Sequence, residues 1–175
     1  MTREQLEHAI RAAGAISGDN ELYVVGSQAI LATSPNAHDD LRRSMEVDIA
    51  PKNHPELEAL IEGSIGELSP FHQTFGFYVD GVEIDGIVLP RGWRERLVLV
   101  ENANTNGVRG LCLDPTDLAI SKLAAGRPKD LDFVRVLVRE HLVTLEVLLA
   151  RASDVERMTA QQRATLNQSL ARIQV

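Results

Sequence analysis

Basic residues are scarce in the first two-thirds of this 175-residue chain. Residues 1–114 hold 9 Lys and Arg against 18 Asp and Glu, whereas residues 115–175 hold 9 against 7, so the overall charge of −7 originates in the first part. Phosphate neutralisation supplies most of the affinity of a general duplex binder, so this composition argues against duplex DNA as a partner. The basic tilt of the second part leaves room for a single strand or a tRNA stem. Cysteine is almost missing: Cys112 stands alone and cannot form an internal disulfide. No apolar run is long enough to suggest a membrane span, and the charged opening Met1–Glu7 reads as a helix start rather than a signal peptide. The expected location is therefore the cytoplasm. The five histidines show no metal-ligand spacing, and internal repeats and low-complexity tracts are absent.

What is present is ordinary globular composition, 44% hydrophobic and 25% charged, enough for one domain over residues 1–175. The apolar spacing Leu6, Ala9, Ile10, Ala13, Ile16 predicts a helix over 4–16. Short apolar runs predict strands at 22–25 and 45–50, with a helix over 28–32 after the Gly26-Ser27 turn and another over 54–65 with Pro55 in its first turn. Residues 75–80, 82–89, 96–100 and 108–113 read as strands or hairpin arms. Asp114-Pro115-Thr116-Asp117 is a strong helix start, and four helices follow, over 118–125, from Pro128 to about His141, over 144–152 and over 159–173. The expected fold is α/β, a short mixed sheet in a core over 1–113 with a helical part over 114–175.

Glu46-Val47-Asp48-Ile49 places two carboxylates on one strand face and two apolar side chains on the other. Two adjacent acids suit Mg²⁺, which completes its shell with water and substrate phosphates, although acids also alternate with apolar residues on any half-exposed strand. Gly26-Ser27 ends a strand where backbone can approach a phosphate closely, or forms an ordinary turn. Glu83 and Asp85 share a face if 82–89 is a strand, and then offer a third acid, or else decorate a solvated hairpin. Lys122 lies beside an apolar helix face, and Arg127, Lys129 and Asp130 flank a helix break; they serve either a triphosphate or helix capping and ion pairing. Cys112 reads as a buried strand residue, and Trp93 as a loop anchor or a stacking contact.

Gly26-Ser27 followed by Arg42-x-Ser44-x-Glu46-Val47-Asp48-Ile49 resembles the signature of the nucleotidyltransferase superfamily with the minimal DNA-polymerase-β-like fold. Asp117-Leu118-Ala119-x-Ser121-Lys122-Leu123-x-Ala125 with Arg127-x-Lys129-Asp130 is similar to the second block of AbiEii/MenT-like toxins of toxin–antitoxin pairs. Glu67-Leu68-Ser69-Pro70-Phe71-His72, Leu89-Pro90-x-Gly92-Trp93-Arg94-x-Arg96-Leu97 and the 122–130 block resemble a small bacterial family of nucleotidyltransferase-like proteins of unassigned role. The resemblance spans roughly residues 20–140. It implies Mg²⁺-dependent transfer of a nucleoside monophosphate from an NTP to a hydroxyl of RNA, such as the tRNA 3′ end, or of a protein. A cognate antitoxin is then a candidate partner. It implies that Gly26, Ser27, Arg42, Ser44, Lys122 and Arg127 hold nucleotide, that Glu46 and Asp48 hold metal, and that Asp48, Lys122 and Asp130 carry catalysis. Glu46 departs from the more usual Asp by one methylene. The same resemblance also accommodates a nucleotide-binding or antitoxin-like interaction module without turnover.

Overall fold

A computed structural model describes residues 1–173, which divide into two units. The first comprises Met1–Ile84 and Leu97–Leu113. It opens with helix α1 (Arg3–Ser17), whose capping box pairs the Thr2 hydroxyl with the Gln5 N–H and the Gln5 side chain with the Thr2 N–H. Its apolar stripe of Leu6, Ala9, Ile10 and Ala13 is fully buried. Strand β1 (Glu21–Val24) leads through Val25 and Gly26 into a 3-10 helix (Ser27–Ala32), and strand β2 (Glu46–Pro51) follows a polar loop. Helices α2 (Glu58–Ile65) and α3 (Pro70–Phe75) precede strand β3 (Tyr78–Gly81). Strands β4 (Val98–Val100) and β5 (Arg109–Cys112) complete a five-stranded sheet in the order β3-β2-β1-β5-β4. The β1/β2 and β4/β5 pairs are antiparallel, and β1/β5 and β2/β3 are parallel, so the sheet is mixed as the sequence predicts. Helix α2 presses close on β3: a Cβ at Gly81 would stand 1.9 Å from the Glu58 carbonyl oxygen.

The second unit comprises Asp85–Arg96 and the chain from Asp114 onward. The Asp114 carboxylate accepts from the Thr116 and Asp117 N–H groups at 3.0 and 3.4 Å and caps helix α4 (Pro115–Ala125). Gly126, at φ 67°, closes α4 in the left-handed conformation. Helices α5 (Pro128–Arg139), α6 (Leu145–Ala152, capped by Thr144) and α7 (Ala160–Ile173) follow. Leu118, Ile120, Leu123, Val134, Leu137 and Leu148 are fully buried. The 85–96 segment ends in a 3-10 turn (Trp93–Arg96) and is tied to this unit by the Arg91 N–H on the Asp154 carbonyl at 3.1 Å.

Two expectations are corrected in the middle of the chain. The expected strand over 75–80 begins only at Tyr78, because Ser69 caps and Pro70 opens a helix that runs to Phe75 and closes at Gly76, φ 73°. The expected arm over 82–89 is not a strand; it holds a 3-10 turn (Ile84–Gly86). Glu83 and Asp85 therefore share no strand face. No helix among the described residues is long and apolar enough to cross a membrane.

Candidate active site

Ser44 starts the face that carries the acids. Its hydroxyl accepts from the Glu46 N–H at 3.1 Å, fixing the residue at which β2 begins. Strand alternation then sends Val47 and Ile49 into the core, both fully buried, and leaves Glu46 and Asp48 half-buried on the opposite face. The parallel register pairs Glu46 with Tyr78 and Asp48 with Asp80, and residues aligned across a parallel ladder project from the same face. Glu46, Asp48 and Asp80 thus share one face of two neighbouring strands. Asp80 was not among the residues singled out from sequence, although Tyr78-Val79-Asp80 repeats the alternation of Glu46-Val47-Asp48.

Gly26 meets this face from β1. The Val25 N–H donates to the Asp48 carbonyl at 3.1 Å, and a Cβ at Gly26 would stand 1.5 Å from Asp48 Oδ2. The carboxylate occupies the space that any side chain at 26 would need, so glycine here is a requirement of Asp48. Ser27 opens the 3-10 helix immediately beyond.

The electrostatics of the face are those of crowded acids. Burial first, and then the charges of Glu46, Glu62 and Glu67, push the Asp80 carboxyl up to about 6. Burial, with Glu46, Asp80 and Glu67 adding to it, pushes the Tyr78 phenol up to about 12. The Tyr78 hydroxyl donates to Glu46 Oε2 at 3.4 Å. Asp80 also lines a hollow of about 620 Å³ with Glu62, Glu67, Gly63, Leu68 and Ser69.

Arg42 pairs with Asp39 at 2.5 Å, and its carbonyl accepts from the Met1 ammonium. In the second unit Asp130 is 1% exposed and accepts from Arg127 Nε at 2.6 Å, Arg127 Nη2 at 3.2 Å and Lys122 Nζ at 3.4 Å. The Lys122 ammonium also sits 4.8 Å from the centroid of the Phe133 ring. Lys122, Arg127 and Asp130 are therefore brought together with one another, and Asp130 already receives two cations. Asp85 is exposed on its 3-10 turn. Cys112 is fully buried, and burial pushes its thiol up to about 12, which leaves it inert as a nucleophile.

Among the described residues, no three His, Cys, Asp or Glu are grouped to form a metal site by themselves. The strand face fits a different kind of site. Its donors are oxygens alone, and burial together with the nearby charges of Glu46, Glu62 and Glu67 disfavours an ionised Asp80. That chemistry suits a hard divalent cation bound through one or two acids together with substrate phosphates.

The fold and this face define an α/β protein whose sheet presents strand carboxylates beside a Gly-Ser turn. A family described as nucleotidyltransferase of unknown function (DUF6036) matches residues 4–172, and the chain belongs to it. No curated protein and no solved structure matches the chain.

Proposed function

We propose that this chain transfers a nucleoside monophosphate from an NTP to a hydroxyl acceptor, using Glu46, Asp48 and Asp80 on the β2/β3 face. The observation that carries this reading is the seating of the Asp48 carboxylate against Gly26, with Asp80 in register beside it. Gly26 and Ser27 offer backbone and hydroxyl donors to the triphosphate, with Ser44 fixing the start of β2. Glu46 and Asp48 would hold Mg²⁺, which when bound neutralises triphosphate charge. Asp80 holds the acceptor hydroxyl and takes its proton as the oxygen bonds to the α-phosphorus; the bond to the β-phosphate breaks and pyrophosphate leaves. A carboxyl raised toward neutrality is a better proton acceptor than an ordinary aspartate. The reading rests on the first unit; Lys122, Arg127 and Asp130 are accounted for as a clamp across the α4/α5 break.

The acceptor is a hydroxyl of a protein or of RNA, the tRNA 3′ end included. The carboxylates lining the hollow beside Asp80 favour a protein hydroxyl, since they would repel a phosphodiester chain. Resemblance to the AbiEii/MenT-like branch supports a toxin role with an antitoxin partner. The test is incubation with each α-labelled NTP, Mg²⁺, bacterial RNA and bacterial protein, beside Asp48→Ala. Label on an acceptor, falling on the order of 10²–10³-fold in the variant, is the expected result. Label that persists in Asp48→Ala overturns the site. The longer Glu46 favours a second reading, binding without turnover, which predicts a melting shift with Mg²⁺-NTP and no label. Neither label nor shift excludes both.

A further inference from the structure

The stretch Glu67-Leu68-Ser69-Pro70-Phe71-His72 takes no direct part in that chemistry, yet its geometry is tightly specified. Leu68 adopts φ 65°, a left-handed conformation that a branched side chain resists. It is held there by its own N–H, which donates to His72 Nδ1 at 3.1 Å, and by its carbonyl, which accepts from Gln73 Nε2 at 3.1 Å. The Ser69 hydroxyl accepts from the His72 N–H at 3.1 Å, so the cap of α3 and the turn before it fix the same residue. Because Nδ1 accepts, the neutral His72 ring carries its proton on Nε2.

The His72 ring lies against Tyr78, with centroids 4.8 Å apart and planes at 47°. Tyr78 is the register partner of Glu46, and its hydroxyl is the donor that reaches Glu46 Oε2. A glutamate has one more rotatable bond than an aspartate, so the carboxylate at 46, though kept on the Asp48 face by strand alternation, samples more positions on that face unless something holds it. We propose that Tyr78 is a positioning residue for Glu46, with the 68–72 turn bracing its ring through His72. The longer first acid and the constrained turn are then two halves of one arrangement. This inference rests on the transferase reading of the β2/β3 face.

The test is a double-mutant cycle read by calorimetry of Mn²⁺ with α,β-methylene analogues of each NTP, which bind but cannot transfer. Native chain, Tyr78→Phe, Glu46→Asp and the double variant are compared, with melting temperature as the folding control. Phe keeps the ring against His72, so the fold is retained. Hydrogen-bond partners of ligating carboxylates are worth about 10–100-fold in metal affinity, and the long 3.4 Å bond belongs at the low end. Tyr78→Phe is expected to weaken Mn²⁺-nucleotide binding about tenfold in the native background and less than about twofold beside Glu46→Asp, whose shorter carboxylate no longer reaches the phenol. His72→Ala is expected to give a smaller loss with the same dependence on background. Equal losses in both backgrounds, or no loss in either, overturn the proposal while leaving the transferase reading intact. A native chain that binds no Mn²⁺-nucleotide removes that reading and this inference together.

Discussion

The acids of the two units have opposite surroundings. Around Asp80 the neighbouring charges are carboxylates, those of Glu46, Glu62 and Glu67, and each makes its ionisation harder. In the second unit Asp117 is fully buried and accepts from Arg96 Nε at 2.9 Å, Arg96 Nη2 at 3.2 Å and Arg151 Nη1 at 3.1 Å. Asp130 is matched in the same way by Arg127 and Lys122. A buried acid provided with its own cations is a structural tie, because removing either partner strands a charge. Acids crowded on acids oppose folding and make sense where a cation arrives from outside. Acidity alone does not distinguish these roles; the sign of the neighbours does.

The comparison breaks most visibly at Asp117. Asp117→Ala leaves Arg96 and Arg151 without their shared carboxylate and unties the 85–96 segment from α4. It is expected to cost about 3 kcal/mol, the lower end for breaking a buried pair, because both arginines are about a quarter exposed. A urea titration should show a lower midpoint with an unchanged slope. Asp48→Ala should barely move that midpoint. Similar losses from the two variants would erase the distinction between structural and functional acids.

Asp80 tests the distinction from the other side. Its carboxyl is raised from its ordinary 3.8 to about 6 in the fold, so the folded chain binds this proton more readily than the unfolded chain. The stabilisation is complete below about pH 4 and is lost as pH rises through 6, and above that the ionised group weighs against folding. Asp80→Asn should therefore stabilise the protein at pH 8 by about 1 kcal/mol, after allowance for screening at a half-buried site, and have little effect at pH 4. The same variant should lose transfer activity. A gain in stability with a loss of function marks an acid kept for its chemistry. Destabilisation at pH 8 would place Asp80 with Asp117 instead.

Most of the elements were legible because their signals are local. The spacing of Leu6, Ala9, Ile10 and Ala13, the Asp114-Pro115 start and the spacing of Leu118, Ile120 and Leu123 each act within a turn or two of chain. Glu46 and Asp48 were legible for the same reason, since alternation needs only adjacent residues. Asp80 was not, because its position beside Asp48 depends on which strand pairs with β2 and in what register. Glu83 and Asp85 satisfy the same alternation, and only the end of β3 at Gly81 separates the two cases. The pairing of Lys122 and Arg127 with Asp130 was legible only in part: sequence offered ion pairing at the helix break as one of two readings, and the fold shows which carboxylate receives the cations and that it is buried.

The smallest effect is expected at His8, on α1. Its ring packs edge-on to Phe75, Phe71 and Phe77, with centroids at 4.5, 5.3 and 5.6 Å, and so joins α1 to α3 and the approach to β3. Burial among these rings, with the charge of Arg11 adding to it, lowers the His8 imidazole below its ordinary 6.5. The folded chain therefore binds this proton less readily than the unfolded chain. The stability contributed by neutral His8 is fully present above about pH 6.5 and declines as pH falls below that value. His8 is half-buried, so the expected loss between pH 7 and 5 is below about 1 kcal/mol. His8→Gln removes the titrating group, and its melting temperature should fall less steeply over that interval than that of the native chain, whatever its absolute value. Because His8 and the α3 helix that carries His72 share this aromatic cluster, the protection of α3 amides, taken as exchange relative to the intrinsic rate at each pH, should fall at pH 5 in the native chain and stay nearly constant in His8→Gln. Parallel pH slopes for the two proteins would show that the aromatic cluster tolerates the charge.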